Sequence, residues 1–253
     1  MCTLVILYQP DNSWPVVIGT NRDEMVTRPW LAPARHWSDR PNVIAGLDKL
    51  AGGSWLGMND AGVIAAINNR AGSLGPEQDK RSRGELVLEA LEHDSATDAA
   101  DALIHLNPVA YRAFNLTIAD TNNVFWIRHL GHSDPDSIEV FTVPPGVSML
   151  TAHDLNDSSC QRIKTYLPRF REANVPQPDT EDWSEWQALL LSRESVSNEA
   201  SGAMRIITES GFNTVSSSLI ALPAQHLDTK PIWRFARRFP EAEPYQKVVL
   251  QDV

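Results

Sequence analysis

The chain has 253 residues, 42% of them hydrophobic, and a formal net charge of −10; it is long enough to bury a large core and ordinary in composition for a globular protein. The acidic balance argues against nucleic acid or an anionic lipid surface as the main partner. Two cysteines, Cys2 and Cys160, exclude a disulfide framework and a cysteine-based zinc site and fit a reducing compartment. No stretch approaches the roughly 20 apolar residues of a membrane helix, and the first apolar run is too short, and lacks the basic lead, for a signal peptide. The expectation is a cytosolic protein without a membrane span.

In chain order, Leu4–Leu7 is a short β-branched apolar run and reads as a buried strand. Turn residues 9–13 separate it from a second strand at 15–19, so the pair reads as a hairpin. Asn21-Arg22-Asp23-Glu24 follows, four polar residues that local rules place in a solvated turn as readily as in a site. Residues 28–41, with three prolines and two tryptophans, predict a packed irregular loop. Strands at 42–46, 52–59 and 63–70 come next, the last two joined by a glycine turn at Asp60-Ala61-Gly62. Ser82, three residues before Glu85, has capping-box spacing and predicts a helix through Leu91. Asp94 or Ser95 caps a second helix that Asn107-Pro108 stops.

Strands are expected at 114–119, 124–128, 138–143 and 147–150, a helix from Ser158 or Ser159, and another over 182–192. Further strands are expected at 204–208, 214–222 and 231–235. Hairpins dominate over parallel crossovers and no linker is visible, which favours α+β with largely antiparallel sheets in one domain spanning 1–253.

Cys2 has two readings. As the start of a strand it is a small buried apolar residue. If Met1 is trimmed, it carries a thiol and a free α-amine with a pKa of about 7.7–8.0, so nucleophile and base sit on one residue.

The ordered set Met1-Cys2, Asn21-Arg22-Asp23-Glu24, Gly53-Ser54-Trp55-Leu56-Gly57, Arg83-Gly84-Glu85-Leu86 and Phe114-Asn115-Leu116 resembles the NRDE family, whose animal members are called transport and Golgi organisation proteins. The resemblance implies the fold of N-terminal nucleophile (Ntn) hydrolases, a four-layer αββα sandwich. More distantly the chain resembles the penicillin acylase and bile-salt hydrolase branch of that superfamily. That resemblance implies Cys2 as nucleophile, Asp23 as the carboxylate that holds its α-ammonium, and Arg22 as a group that lowers the thiol pKa. Asn69, seven residues after Gly62, would donate to the oxyanion. Thr151-Ala152-His153-Asp154 stands where those hydrolases carry Thr-Asn, and Arg205 is the candidate for a later arginine of their set.

Two functions follow from the resemblance. One is binding and trafficking of haem or a similar flat, hydrophobic, anionic ligand; the alternative is an acylase-like hydrolase of linear amides using Cys2. A scaffolding role in the secretory pathway is a third, blander reading. For ligand contacts the candidates are Asn21, Arg22, Arg70, Arg83, Glu85 and His153. His36, His129 and His132 are the candidate axial imidazoles, with the Cys2 thiolate as another ligand; no structural metal is expected. The oligomeric state is left open.

Overall fold

A computed structural model of the chain describes residues 2–132, 134, 137–195 and 202–250. Among these, strands and helices alternate as β1 (Thr3–Tyr8), β2 (Val16–Met25), β3 (Trp30–Ala34), β4 (Val43–Asp48), β5 (Leu56–Asn59), β6 (Ile64–Asn69), α1 (Gly84–Ala90) and α2 (Ala96–Leu103). The chain continues through β7 (Phe114–Ala119), β8 (Val124–His129), β9 (Ile138–Thr142), β10 (Gly146–Leu150), α3 (Gln161–Glu172), α4 (Ser184–Leu191), β11 (Phe212–Leu222), β12 (Ile232–Arg237) and β13 (Gln246–Lys247). It divides into two compact units, Met1–Thr27 with Pro145–Val248, and Arg28–Pro144 with Val249–Val253. No helix among the described residues is long and apolar enough to cross a membrane.

In the first unit six strands pair in the order β10-β1-β2-β11-β12-β13, each ladder antiparallel. Val5, Leu7 and Val17 point to one face, where Ile163, Tyr166 and Phe170 of α3 and Trp186 and Leu190 of α4 cover them. Gly19 leaves room for Trp186, whose ring would lie 3.1 Å from an added Cβ. The second unit is a seven-stranded antiparallel meander, β3 to β9 in sequence order. The stripes of α1 and α2, including Leu86, Val87, Ala99 and Leu103, pack on Val43, Ala65, Leu116 and Ile118 of that sheet.

Four local expectations change. Asn21–Glu24 is not a turn: it continues β2, because β11 pairs alongside and completes its ladder. The 28–41 loop contains a short strand, β3, whose pairing with β4 is interrupted between Leu31 and Ala34, around Pro33, which has no N–H to give. Residues 204–208 form no strand, since side chains take their backbone donors: Ile206 N–H donates to Thr214 Oγ1 (2.8 Å) and Thr208 N–H to Asn213 Oδ1 (2.6 Å). The capping box is absent. The Glu85 carboxylate pairs with Arg81 (2.8 Å), while Ser82 Oγ accepts from Gly84 N–H (3.2 Å). In α2, Ser95 and not Asp94 caps, accepting from Asp98 N–H.

Two stretches singled out in the sequence meet here. Ser54 N–H donates to Gly84 O at 2.9 Å, and a Cβ on Gly53 would fall 2.4 Å from Gly84 C. Both glycines are therefore demanded by backbone contact between the loop before β5 and the start of α1. Gly53→Ala is expected to lower unfolding stability by about 1–3 kcal/mol through overpacking, read from urea denaturation, with Gly52→Ala as a comparison where open space but a φ of +76° adds only backbone strain.

Candidate functional site

Cys2 leads directly into β1. In the β1–β2 ladder Thr3 pairs with Asn21 and Leu4 with Thr20, so Cys2 comes opposite the Arg22–Asp23 step. Its thiol donates to the Asp23 backbone carbonyl, Sγ to O 3.6 Å. Side chains alternate across a strand, and here the alternation sorts the motif. Asn21 and Asp23 turn toward the helices, whereas Arg22 shares the opposite face with Glu24, the two lying 3.8 Å apart.

The Asp23 side chain is fully buried and Arg162 of α3 is 1% exposed. Arg162 Nη1 donates to Asp23 Oδ2 (3.1 Å) and to Thr3 Oγ1 (2.5 Å), while Thr214 Oγ1 donates to Asp23 Oδ1 (2.6 Å). A bulge in β11 makes the last contact. Thr214 pairs with Asp23 and Ser216 with Arg22, leaving Val215 as the extra residue, the kind of irregularity that re-aims a side chain. Thr214 Oγ1 in turn accepts from Ile206 N–H. Desolvating two charges costs several kcal/mol per ion; this pair is compensated by mutual contact and by the two threonine hydroxyls.

Burial pushes the Cys2 thiol above its ordinary range, and the nearby Asp23 carboxylate pushes the same way; the Arg22 guanidinium opposes them without prevailing. Arg22 thus acts in the expected direction, but burial and Asp23 outweigh it and the net shift is upward. Met1, on which exposure of the Cys2 amine depends, lies outside the described residues. Both cysteines are free; Cys160 stands at the N-cap position of α3 without a side-chain capping bond, and its Sγ accepts from Thr151 Oγ1 at 3.5 Å.

The other sequence candidates are placed as follows. Asn21 Nδ2 donates to the carbonyls of Leu190 and Met204, and Asn21 Oδ1 accepts from Ser217 Oγ, so it anchors α4. Asn69 ends β6 in the second unit, opposite Phe114. Arg70 donates to Asn115 Oδ1 (2.7 Å), and Arg83 braces the 73–75 loop through Ser73 O, Ser73 Oγ and Gly75 O. Glu85 pairs with Arg81. His153 Nδ1 lies 3.7 Å from Asp157 Oδ2. His36 Nε2 contacts Ala32 O at 2.8 Å. His132 is exposed.

His129 is fully buried beside Phe114, ring centroids 5.4 Å apart, with its pKa lowered by burial, so its unpartnered Nε2 offers an iron no open approach. No group of three or more His, Cys, Asp or Glu among the described residues is placed to hold a metal ion.

Arg162, Thr3 and Thr214 were missed in the sequence. The available signal was Arg162 itself, four residues before Tyr166 on the stripe of Ile163, Tyr166, Leu167 and Phe170. A charge on an apolar stripe predicts a buried partner.

The chain matches the profile of the family described as Transport and Golgi organisation 2 over residues 1–229. It is 34% identical over 134 residues to the Transport and Golgi organization 2 homolog of Mus musculus, covering 47% of this chain and 45% of that protein. The Homo sapiens homolog is 31% identical over 154 residues, covering 53% and 52%. The chain thus spans about half the length of these curated relatives.

Among solved structures it resembles the Caenorhabditis elegans ortholog of N-acylethanolamine-hydrolyzing acid amidase, with TM-score 0.58, 14% identity, and coverage of 87% of this chain and 92% of that one. Penicillin V acylase from Agrobacterium tumefaciens gives TM-score 0.52 at 12% identity, covering 95% and 84%. A variant of conjugated bile acid hydrolase from Clostridium perfringens gives 0.53 at 13%, covering 98% and 92%. These likenesses establish the fold: α+β, of Ntn-hydrolase type, with antiparallel sheets.

Two outcomes check the site. Arg162→Met leaves a buried carboxylate without its cation and is expected to lose about 3–5 kcal/mol of stability by urea denaturation, part of it regained in Arg162→Met/Asp23→Asn. Iodoacetamide labelling of Cys2, followed by peptide mass spectrometry, should rise with pH through a midpoint above the ordinary free-thiol value of about 8.5; a midpoint below it would contradict the desolvated thiol.

Proposed function

The chain belongs to the Transport and Golgi organisation 2 family, and from that premise we propose that it acts as an N-terminal-cysteine hydrolase of linear amides. The observation that carries this reading is the placement of Cys2 at the head of β1, opposite Arg22 and Asp23, with Asp23 clamped by Arg162. That three solved structures of the same fold are named as an amidase, an acylase and a bile acid hydrolase supports the choice of bond.

The raised pKa of the thiol makes the α-amine necessary. Removal of Met1 exposes that amine on Cys2, where it takes the thiol proton as Sγ attacks the amide carbon. Collapse breaks the C–N bond, the proton passes to the leaving amine, and a thioester remains. Water, deprotonated by the same amine, attacks the thioester, releases the carboxylic acid and restores the thiol. A cytosolic setting keeps that thiol reduced.

A second reading is a disarmed hydrolase fold that binds and carries a flat, hydrophobic anion such as haem, with Arg22 among the partners of its carboxylates. The high thiol pKa favours it, because a protonated thiol without a base is inert.

Intact mass of protein purified from cells, together with amine release from N-acyl amides of graded acyl length, tests the first reading. Loss of one methionine and turnover abolished in Cys2→Ala are expected. Retained Met1, or no amine release at any acyl length, overturns it. A saturable Soret shift on titration with haem, unchanged in Cys2→Ala, would then establish the carrier.

A further inference from the structure

We propose that Arg205 and Arg238 form a binding site for a phosphate-class oxyanion in the first unit. Arg238 follows β12 and is 2% exposed. Its backbone N–H donates to Val215 O, the bulge residue of β11, and its Nη1 donates to Glu243 O at 2.5 Å. Its guanidinium lies over the Tyr245 ring, 4.3 Å from the centroid, and Tyr245 Oη is fixed 2.8 Å from Ser217 Oγ. The side chain is thus held from one end and one face. Its remaining edge, Nε and Nη2, is buried and meets no acceptor.

Arg205 stands beside it. Its backbone N–H donates to Ser192 O, its Nη2 donates to the Arg238 carbonyl at 3.0 Å, and its Nε is buried without an acceptor. No carboxylate pairs with either arginine among the described residues. Instead the charges of Arg238 and Arg193 both act against Arg205, whose pKa is lowered first by burial and then by these two cations. A buried cation beside a half-buried one, with three buried nitrogens that meet no acceptor, is unfavourable by desolvation and by repulsion, and an anion relieves both.

The donors define the anion. Nε and Nη2 of Arg238 form the planar edge that takes two oxygens in parallel. The third donor, on a second guanidinium, calls for a further oxygen outside that fork, which a tetrahedral phosphate supplies and a planar carboxylate does not. Arg205 is only half-buried, so the approach is from its solvent side. Tyr245 and Ser217 join the site to Asn21 of β2, so occupancy also stiffens the sheet's connection to α4.

Thermal unfolding of the full chain in inorganic phosphate, phenyl phosphate or acetate, each against sodium chloride at equal ionic strength, tests the site. Saturable rises in midpoint of several degrees with both phosphates, and much less with acetate, are expected. A tighter response to phenyl phosphate points to an esterified ligand, an equal one to free phosphate; both support the class. Arg205→Gln, at the half-buried position, should raise the midpoint in chloride by removing repulsion and weaken the phosphate response about tenfold. Arg238→Gln should abolish the response. Direct calorimetric titration of the folded wild type with phosphate keeps the test valid if Arg238→Gln does not fold. Equal midpoints in phosphate and chloride, acetate matching phosphate, or an undiminished response in Arg205→Gln would each overturn the site.

Discussion

The buried pair between Asp23 and Arg162 governs what the first unit can be. It joins four separate stretches of chain, since Thr3 of β1 and Thr214 of β11 complete the coordination of the two charges. A carboxylate and a guanidinium out of water are tolerated only when geometry and hydrogen bonds compensate their lost hydration. Each element is therefore held to a narrow position: α3 against β1, the bulge of β11 against β2, and the head of β1 against the Arg22–Asp23 step. Cys2, at the head of β1, gains its place from that arrangement. Its link to Asp23 runs through the backbone carbonyl, on a strand whose other face is locked by the pair.

The same constraint explains why four polar residues behave as a strand. Asn, Arg, Asp and Glu in succession have low strand propensity, yet Asn21, Arg22 and Asp23 are all at or below 5% exposure. Tertiary partners outweigh the local preference: carbonyls at the end of α4 and at Met204 for Asn21, the ion pair for Asp23. In the second unit a different constraint acts. Gly53 and Gly84 are needed because two backbones meet without space for a side chain, and Arg83 holds the adjacent loop. Residues that look equally prominent in the sequence thus divide into those that place chemistry and those that close a backbone contact.

That division bounds what the sequence reveals. The hairpins of β1–β2 and β5–β6, the helices α1 to α4 and the antiparallel class follow from apolar runs and turn residues, because those signals are local. The grouping of the thiol with Arg22 and Asp23 is carried in the sequence by the family resemblance alone, because local rules leave Asn21–Glu24 as readily in a turn as in a site. Arg162 and Thr214 are 139 and 191 residues from Asp23, and no local pattern links them. The bulge that turns Thr214 inward is set by one extra residue whose signal, Val in a polar-serine strand, is ordinary. The Glu85 capping box failed because Arg81, one turn earlier, offers the carboxylate a cation; spacing alone does not register such competition.

Strand alternation gives the Asn-Arg-Asp-Glu motif its logic. Asn21 and Asp23 face the helices and end in structure, one on carbonyls and one on a cation. Arg22 and Glu24 occupy the other face, together with the thiol's side of β1. A group that reacts with or holds a ligand must keep some capacity unspent. Asp23, tied to Arg162 and Thr214, acts on the site as fixed charge, raising the thiol pKa while Arg22 lowers it. The balance leaves Cys2 protonated until a base arrives beside it, and the only base that chain chemistry can place on the same residue is its own amine. The proposed nucleophile therefore depends on removal of the first residue, whereas the carrier reading places no demand on that step.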